Sequence, residues 1–126
     1  QRIQNAGGYA LPLRINVLEK AEIQEAFACA LNSMGRIDVL INGAGGNKKE
    51  ATATDQLPFF DLPSEALRGV FDLNFLGTFL PSQVFGKYFA QQKEGNILNV
   101  SSMNAFRPLT KICGYSAAKA AVSNFT

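Results

Sequence analysis

Apolar residues first gather in YALPLRI, residues 9–15, a run suited to a β-strand in which Pro12 implies a sheet edge or a late start. Helical periodicity follows: Ile23, Phe27, Ala30, Leu31 and Met34 recur on one face until Gly35, and Asn16 with Glu19 has capping-box spacing. Ile37 to Ile41 is a continuous apolar run with Asp38 near its start, as buried parallel strands tend to be. The stretch NGAGGNKKEATATDQLPFFDLP, rich in Gly, Thr and Asn, reads as a loop too long for a simple connector, and loops of that length are usually functional. A helical stretch then runs from about Ser64 to Gln92, led in by Pro63, with a kink or break expected at Gly77 and Pro81. Its apolar residues, from Leu67, Val70 and Phe71 to Tyr88 and Phe89, cover more than one face. Such a helix should be buried on two sides, against the sheet and against another surface such as a second subunit. Gly95-Asn96 turns the chain into ILNVSS, a strand ending in two hydroxyls; NAFRPLTKICG is a loop, and Tyr115 to Thr126 opens a final helix.

Strand, helix, strand, helix, strand, helix is the alternation of an α/β domain with a parallel sheet. Ligands of such sheets sit beyond the carboxyl ends of the strands, which here carry NGAGG and SSMNAF. No internal repeat, low-complexity tract or domain linker interrupts the pattern.

Composition narrows the chemistry. A formal charge of +2 is spread thinly, with no basic run beyond Lys48-Lys49, which gives little support to a nucleic-acid or membrane-surface role. Cys29 and Cys113 lie far apart, unlike a secreted disulfide framework, and fit a reducing cytoplasm as packing residues. No apolar run approaches membrane-spanning length. Histidine is absent, which removes Ser-His-Asp and Cys-His relays and most catalytic zinc sites, and no metal is expected.

Any acid–base chemistry must therefore come from another group, and YSAAK places Tyr115 and Lys119 one helical turn apart on one face. Three tyrosines and seven lysines would give this spacing by chance about 0.17 times, so the pair alone could be a solvated helix face. Ser102, thirteen residues before Tyr115 at a strand's carboxyl end, and NGAG at the end of the neighbouring strand point to the same site. A free tyrosine titrates near ~10, so proton exchange at neutrality needs a nearby cation, which Lys119 supplies. Ser102 would hydrogen-bond a substrate oxygen where charge develops. Ser101 is an alternative hydroxyl, Asn74 alone could be a buried amide satisfied by backbone, and the glycines at 43, 45 and 46 could serve only a tight turn.

With these residues together, the chain resembles the short-chain dehydrogenase/reductase family over nearly its whole length. Asn42-Gly43-Ala44-Gly45 is similar to the family's N-[NC]-A-G segment, with Gly43 in place of Asn or Cys; Asn74 falls on its helix asparagine, and Ser102, Tyr115 and Lys119 on its Ser, Tyr and Lys. The resemblance implies a Rossmann-type doubly wound parallel sheet, represented by an incomplete central portion of three strands and three helices. It also implies NAD or NADP as cofactor, contacts to it from Asn42, Gly43, Ala44, Gly45, Tyr115 and Lys119, a ribose contact by Lys119, and a relay water held by Asn74. Asn16 stands where the family often has an adenine-binding Asp; its side-chain oxygen can still accept a hydrogen bond.

The glycine-rich turn and the ribose-reading residue of a dinucleotide site are not among these residues. Residues 1–126 are therefore expected to be part of a single dinucleotide-binding oxidoreductase domain, without its N-terminal glycine-rich unit and C-terminal substrate region, and without normal cofactor affinity alone. The phrases INGAGGNKKEATAT and SSMNAFRPLTKICGYSAAKAAVSNFT resemble the D-mannonate oxidoreductase branch, which reduces D-fructuronate. For the carboxylate of such a sugar acid, Asn104, Arg107 and Lys111, or Asn47 and Lys48, are the available donors, Arg107 being equally suited to anchor its loop. A fold retained for binding or scaffolding is the alternative, as is another carbonyl substrate. The family implies a homotetramer or homodimer.

Overall fold

The computed structural model describes residues 2–126 and pairs two parallel strands, β1 (Val39–Asn42) and β2 (Asn96–Asn99), with Val39 opposite Asn96 and Asn42 opposite Asn99. A single turn, α1 (Arg2–Asn5), comes first, and α2 (Lys20–Met34) precedes β1. The crossover to β2 is α3 (Ser64–Phe71), a π-turn at Asp72–Leu76 and α4 (Gly77–Gln92); α5 (Cys113–Phe125) follows β2. Short 3₁₀ turns at Lys49–Ala51, Phe59–Asp61 and Met103–Ala105 punctuate the loops. This is the βαβ connection that parallel strands require.

Strand alternation decides what the sheet covers. Leu40 and Asn42 turn inward on β1, Ile97 lies against Gly86 of α4, and Asn99 is half-buried. Val39, Ile41, Leu98 and Val100 point the other way and are 53%, 64%, 53% and 44% exposed. Only one face of this pair is covered, although runs this apolar suit strands buried on both sides.

The buried apolar set (Ile23, Ala51, Val70, Phe89, Ala118, Val122) draws on α2, the 49–51 turn, α3, α4 and α5. Phe27 meets Phe85 and Tyr88 edge-on at 5.2 and 5.4 Å between ring centres, joining α2 to α4. Phe125 packs on Phe75 and Phe79, joining α5 to the π-turn and α4. Gly114 lets α5 meet α3 closely: a Cβ there would stand 2.9 Å from Leu67 Cδ2.

Several expectations change. Residues 9–15 form no strand, so the described residues hold two strands rather than three. A cavity of about 310 Å³, lined by Leu11, Leu13, Ile15, Ile23, Leu40 and Phe85 among others, lies between this segment, α2, β1 and α4. With no backbone partner across that gap a ladder cannot form. The capping box does not form either. Asn16 Oδ1 accepts from the Leu18 N–H at 3.1 Å, an Asx-type turn, and Glu19 takes the N-cap position without a side-chain cap.

The break expected at Gly77 and Pro81 is not seen: the helix continues through a π-turn at Asp72–Leu76, and α4 runs on through Pro81. Pro81 has no N–H to offer the Gly77 carbonyl, so one helical bond is missing there without ending α4. Gly35, at φ 76°, ends α2 as expected. Cys29 is exposed instead of packed, Cys113 is half-buried, and both are free thiols.

Candidate active site

The π-turn positions the first group. An extra residue in the helix, marked by the Gly77 N–H reaching the Asp72 carbonyl, turns Asn74 fully into the interior. Asn74 Oδ1 accepts from the Gly46 N–H at 3.1 Å, while Nδ2 donates to the carbonyls of Gly46 at 2.7 Å and Val70 at 2.8 Å. Both amide protons are used, so the side chain clamps the glycine loop. Gly45 passes under this clamp. A Cβ on it would stand 2.6 Å from Asn74 Oδ1 and 3.4 Å from Lys119 Nζ, so only glycine fits. Gly43 and Gly46 have no neighbour within 4 Å of a Cβ, which leaves the backbone there open to a ligand.

The two hydroxyls after β2 separate by role. Ser101 Oγ is 2.5 Å from Ser123 Oγ and 3.5 Å from the Lys119 carbonyl, and is thereby committed to α5. Ser102 Oγ only accepts, from the Asn104 N–H at 3.1 Å. Its proton remains available for a ligand, and Ser102, not Ser101, is the free hydroxyl of the pair.

Lys119 is 5% exposed and donates to the Val100 carbonyl at 2.7 Å. Its ammonium lies 5.8 Å from the centre of the Tyr115 ring, within cation–π range, with Tyr115 half-buried one turn earlier on α5. Burial pushes the Lys119 amine below the ordinary value of 10.5. Between the lowered folded-state value and 10.5, the unfolded chain holds a proton that the folded chain has released. Unfolding free energy contributed by this group therefore rises with pH across that window. Chemical denaturation should show the rise, and Lys119→Met should lose that increment; equal slopes in parent and variant would assign the rise to another group.

Asn42 is buried and bonds Ser82 Oγ at 3.0 Å and Asn99 Oδ1 at 2.8 Å, fixing the strand end from which Gly43, Ala44 and Gly45 emerge. Asn16 is exposed in the turn before α2, and its neighbour Val17 lines the same cavity as Gly43 and Ala44. Asn104 opens the turn after Ser102, while Arg107 and Lys111 are exposed beyond it. Asn47 Nδ2 is engaged with Thr52 Oγ1. The structure thus gathers Gly45, Gly46, Asn74, Val100, Tyr115 and Lys119 at one point. Sequence reasoning missed the Val100 carbonyl, a backbone group with no side-chain signature, and the Asn74 clamp on Gly46, which the interruption of the 64–92 helix could have suggested. Among the described residues no cluster of metal-ligating side chains exists, and no helix is long and apolar enough to cross a membrane.

An asparagine-clamped glycine loop, a free serine hydroxyl and a Tyr–Lys pair at the ends of parallel strands accord with a comparison to known families: the short chain dehydrogenase model matches residues 1–126, and the chain belongs to that family. Among its relatives, an uncharacterized oxidoreductase of Haemophilus influenzae is 46% identical over all of this chain and 48% of its own length. An uncharacterized oxidoreductase of Bacillus subtilis, UxuB, is 41% identical over the same shares. A crystal structure of a Haemophilus influenzae protein provisionally named D-mannonate oxidoreductase, with bound NAD, superposes with a TM-score of 0.90 at 47% identity, covering 98% of this chain and 48% of that one. NADP-bound ElxO, 22% identical, shares the fold with a TM-score of 0.80 over 90% of this chain and 44% of its own. The chain spans about half the length of the curated relatives it matches.

Proposed function

We propose that this chain is the central part of a single dinucleotide-binding domain that interconverts a carbonyl and a secondary alcohol with NAD or NADP, the favoured pair being D-fructuronate and D-mannonate. The observation that carries the reading is the Lys119 ammonium, held 5.8 Å from the Tyr115 ring centre on the helix that follows the free Ser102 hydroxyl. The apolar sheet face left bare at Val39, Ile41, Leu98 and Val100 supports a larger sheet around it.

The residues fit a nicotinamide nucleotide. Gly43 and Gly46 offer open backbone beside Lys119, and only one of that ammonium's three protons is used, on Val100, leaving two for ribose hydroxyls. When bound, the nicotinamide supplies or accepts the hydride. The chain's own groups do the rest. Ser102 donates its hydroxyl proton to the substrate oxygen, where negative charge develops. Tyr115 holds the proton that passes to that oxygen, and the Lys119 charge favours its release. Asn74 keeps Gly45 and Gly46 in place, and Asn42 holds the strand end behind them.

The NAD-bound relative at 47% identity supports the sugar-acid choice. Arg107 is exposed and in no ion pair among the described residues, so its guanidinium is available to a substrate carboxylate, with Asn104 beside Ser102 as a second donor. Arg107→Ala should raise KM for D-fructuronate by roughly 10-fold or more, the loss of a charge-assisted pair, and leave KM for a neutral ketone nearly unchanged. Equal changes for both would remove Arg107 from the substrate site. A cytoplasmic location, in keeping with two free thiols, and a homotetramer or homodimer complete the proposal.

A further inference from the structure

Hydrogen bonds connect the exit of β2 to α5, and the two side-chain pairs among them run in opposite order along the two elements. Asn99 Nδ2 donates to Thr126 Oγ1 at 3.0 Å, Ser101 Oγ pairs with Ser123 Oγ at 2.5 Å, and Lys119 Nζ donates to the Val100 carbonyl at 2.7 Å. Asn99 and Ser101 are alternate residues and share one strand face, while Ser123 and Thr126 are neighbours on one helix face. Thr126 Oγ1 in turn donates to the Val122 carbonyl, and Asn99 Oδ1 accepts from Asn42 Nδ2, which also reaches Ser82 on α4. The lower part of α5 is thereby tied through β2 and β1 to the strand end that carries the glycine loop.

Large apolar contacts hold α5 mainly at its two ends, Gly114 against Leu67 and Phe125 against Phe75 and Phe79. The α5 sequence after Tyr115 is AAKAAVS in its central part, small residues that offer few knobs to resist sliding along the groove. A slip of one residue would move Tyr115 by about 1.5 Å and turn it by about 100°. A misplacement of that size can cost on the order of 100-fold in rate.

We propose that Ser123 and Thr126, with Ser101 and Asn99 as their strand partners, are positioning residues that set the axial register of α5 and so bring Lys119 and Tyr115 to the level of Ser102. The lock rests on the same site as the proposed oxidoreductase activity, but its direct consequence, a shielded Lys119, is measurable without turnover.

The experiment is competitive acetylation of the protein with acetic anhydride, each of its seven lysines followed by peptide mass spectrometry. The variants are Ser123→Ala, the double variant Ser123→Ala with Thr126→Val, and the hydroxyl-retaining Ser123→Thr. Relative to the other six lysines, Lys119 should label about 10-fold faster in the double variant, with Ser123→Thr close to the parent. In steady-state assays kcat should fall by on the order of 10-fold, and KM for the nicotinamide cofactor should rise with it, since Lys119 also faces the ribose. Unchanged Lys119 protection in the double variant would overturn the lock whatever the turnover, as would Ser123→Thr behaving like Ser123→Ala. Faster Lys119 labelling in a protein that turns over no carbonyl would support the lock and remove the oxidoreductase reading. Should the double variant unfold, seen as faster labelling of all seven lysines, Ser123→Ala and Ser123→Thr decide the matter.

Discussion

Replacing Tyr115 by Phe should lower kcat for carbonyl reduction by about 10²- to 10⁴-fold, the usual contribution of a positioned acid–base group, while leaving cofactor affinity within about twofold. The two effects separate because the variant removes only the hydroxyl. The ring that lies 5.8 Å from the Lys119 ammonium remains, and with it the packing of α5 on the loop after β2. Lys119 keeps its bond to the Val100 carbonyl, which depends on Ser101, Asn99 and the helix register and not on the phenol. Cofactor titration by fluorescence and steady-state kinetics on the same preparation would check both halves. Turnover within a few-fold of the parent would mean that another group moves the proton, and with no histidine in these residues the first to examine would be Lys119 itself.

The second large effect concerns stability. Gly45→Ala places a Cβ 2.6 Å from Asn74 Oδ1, an atom that cannot yield without giving up its bond to the Gly46 N–H. Overpacking of about 1–3 kcal/mol and a broken buried hydrogen bond of similar size add to roughly 2–6 kcal/mol, a large share of what holds a typical domain together. Gly43→Ala, two residues earlier, meets nothing within 4 Å and should unfold at nearly the parent's denaturant midpoint. Equal midpoints for Gly45→Ala and Gly43→Ala would mean that the Asn74 clamp is not a fixed feature of the folded protein.

The contrast between those two glycines marks what the sequence made legible. NGAG at a strand end, Ser102, Tyr115 and Lys119 were readable because their chemistry depends on residue type at fixed spacing, and Tyr115 and Lys119 do share one face of α5. That Gly45 must be glycine while Gly43 need not be is a matter of which side chain passes overhead, which no local pattern encodes. The π-turn was equally hidden. The sequence placed a break in the 64–92 helix at its helix-breaking residues, Gly77 and Pro81, whereas the observed turn at Asp72–Leu76 follows a tertiary demand, the burial of Asn74 against Gly46.

Residues 9–15 show the opposite case. Their apolar pattern suited a strand, and Leu11, Leu13 and Ile15 do line a cavity, with Leu13 and Ile15 left 41% and 39% exposed; but a strand is defined by its partner, and across that cavity there is none. For Ser101 and Ser102 the strand reading was enough to put both hydroxyls at the sheet's carboxyl edge. The thirteen-residue spacing to Tyr115 already favoured Ser102; what the spacing could not show is that Ser123, twenty-two residues beyond Ser101, occupies Ser101 and leaves the Ser102 proton free.

The most direct test of the oxidoreductase assignment is the reduction of D-fructuronate by NADH or NADPH, followed by loss of the reduced nicotinamide's absorbance, in the longest natural polypeptide that carries these residues. The account predicts one reduced nicotinamide consumed for each D-mannonate formed, and no consumption when Tyr115 is Phe. A folded protein that binds either cofactor yet leaves it reduced, with D-fructuronate and with neutral ketones alike, would contradict it.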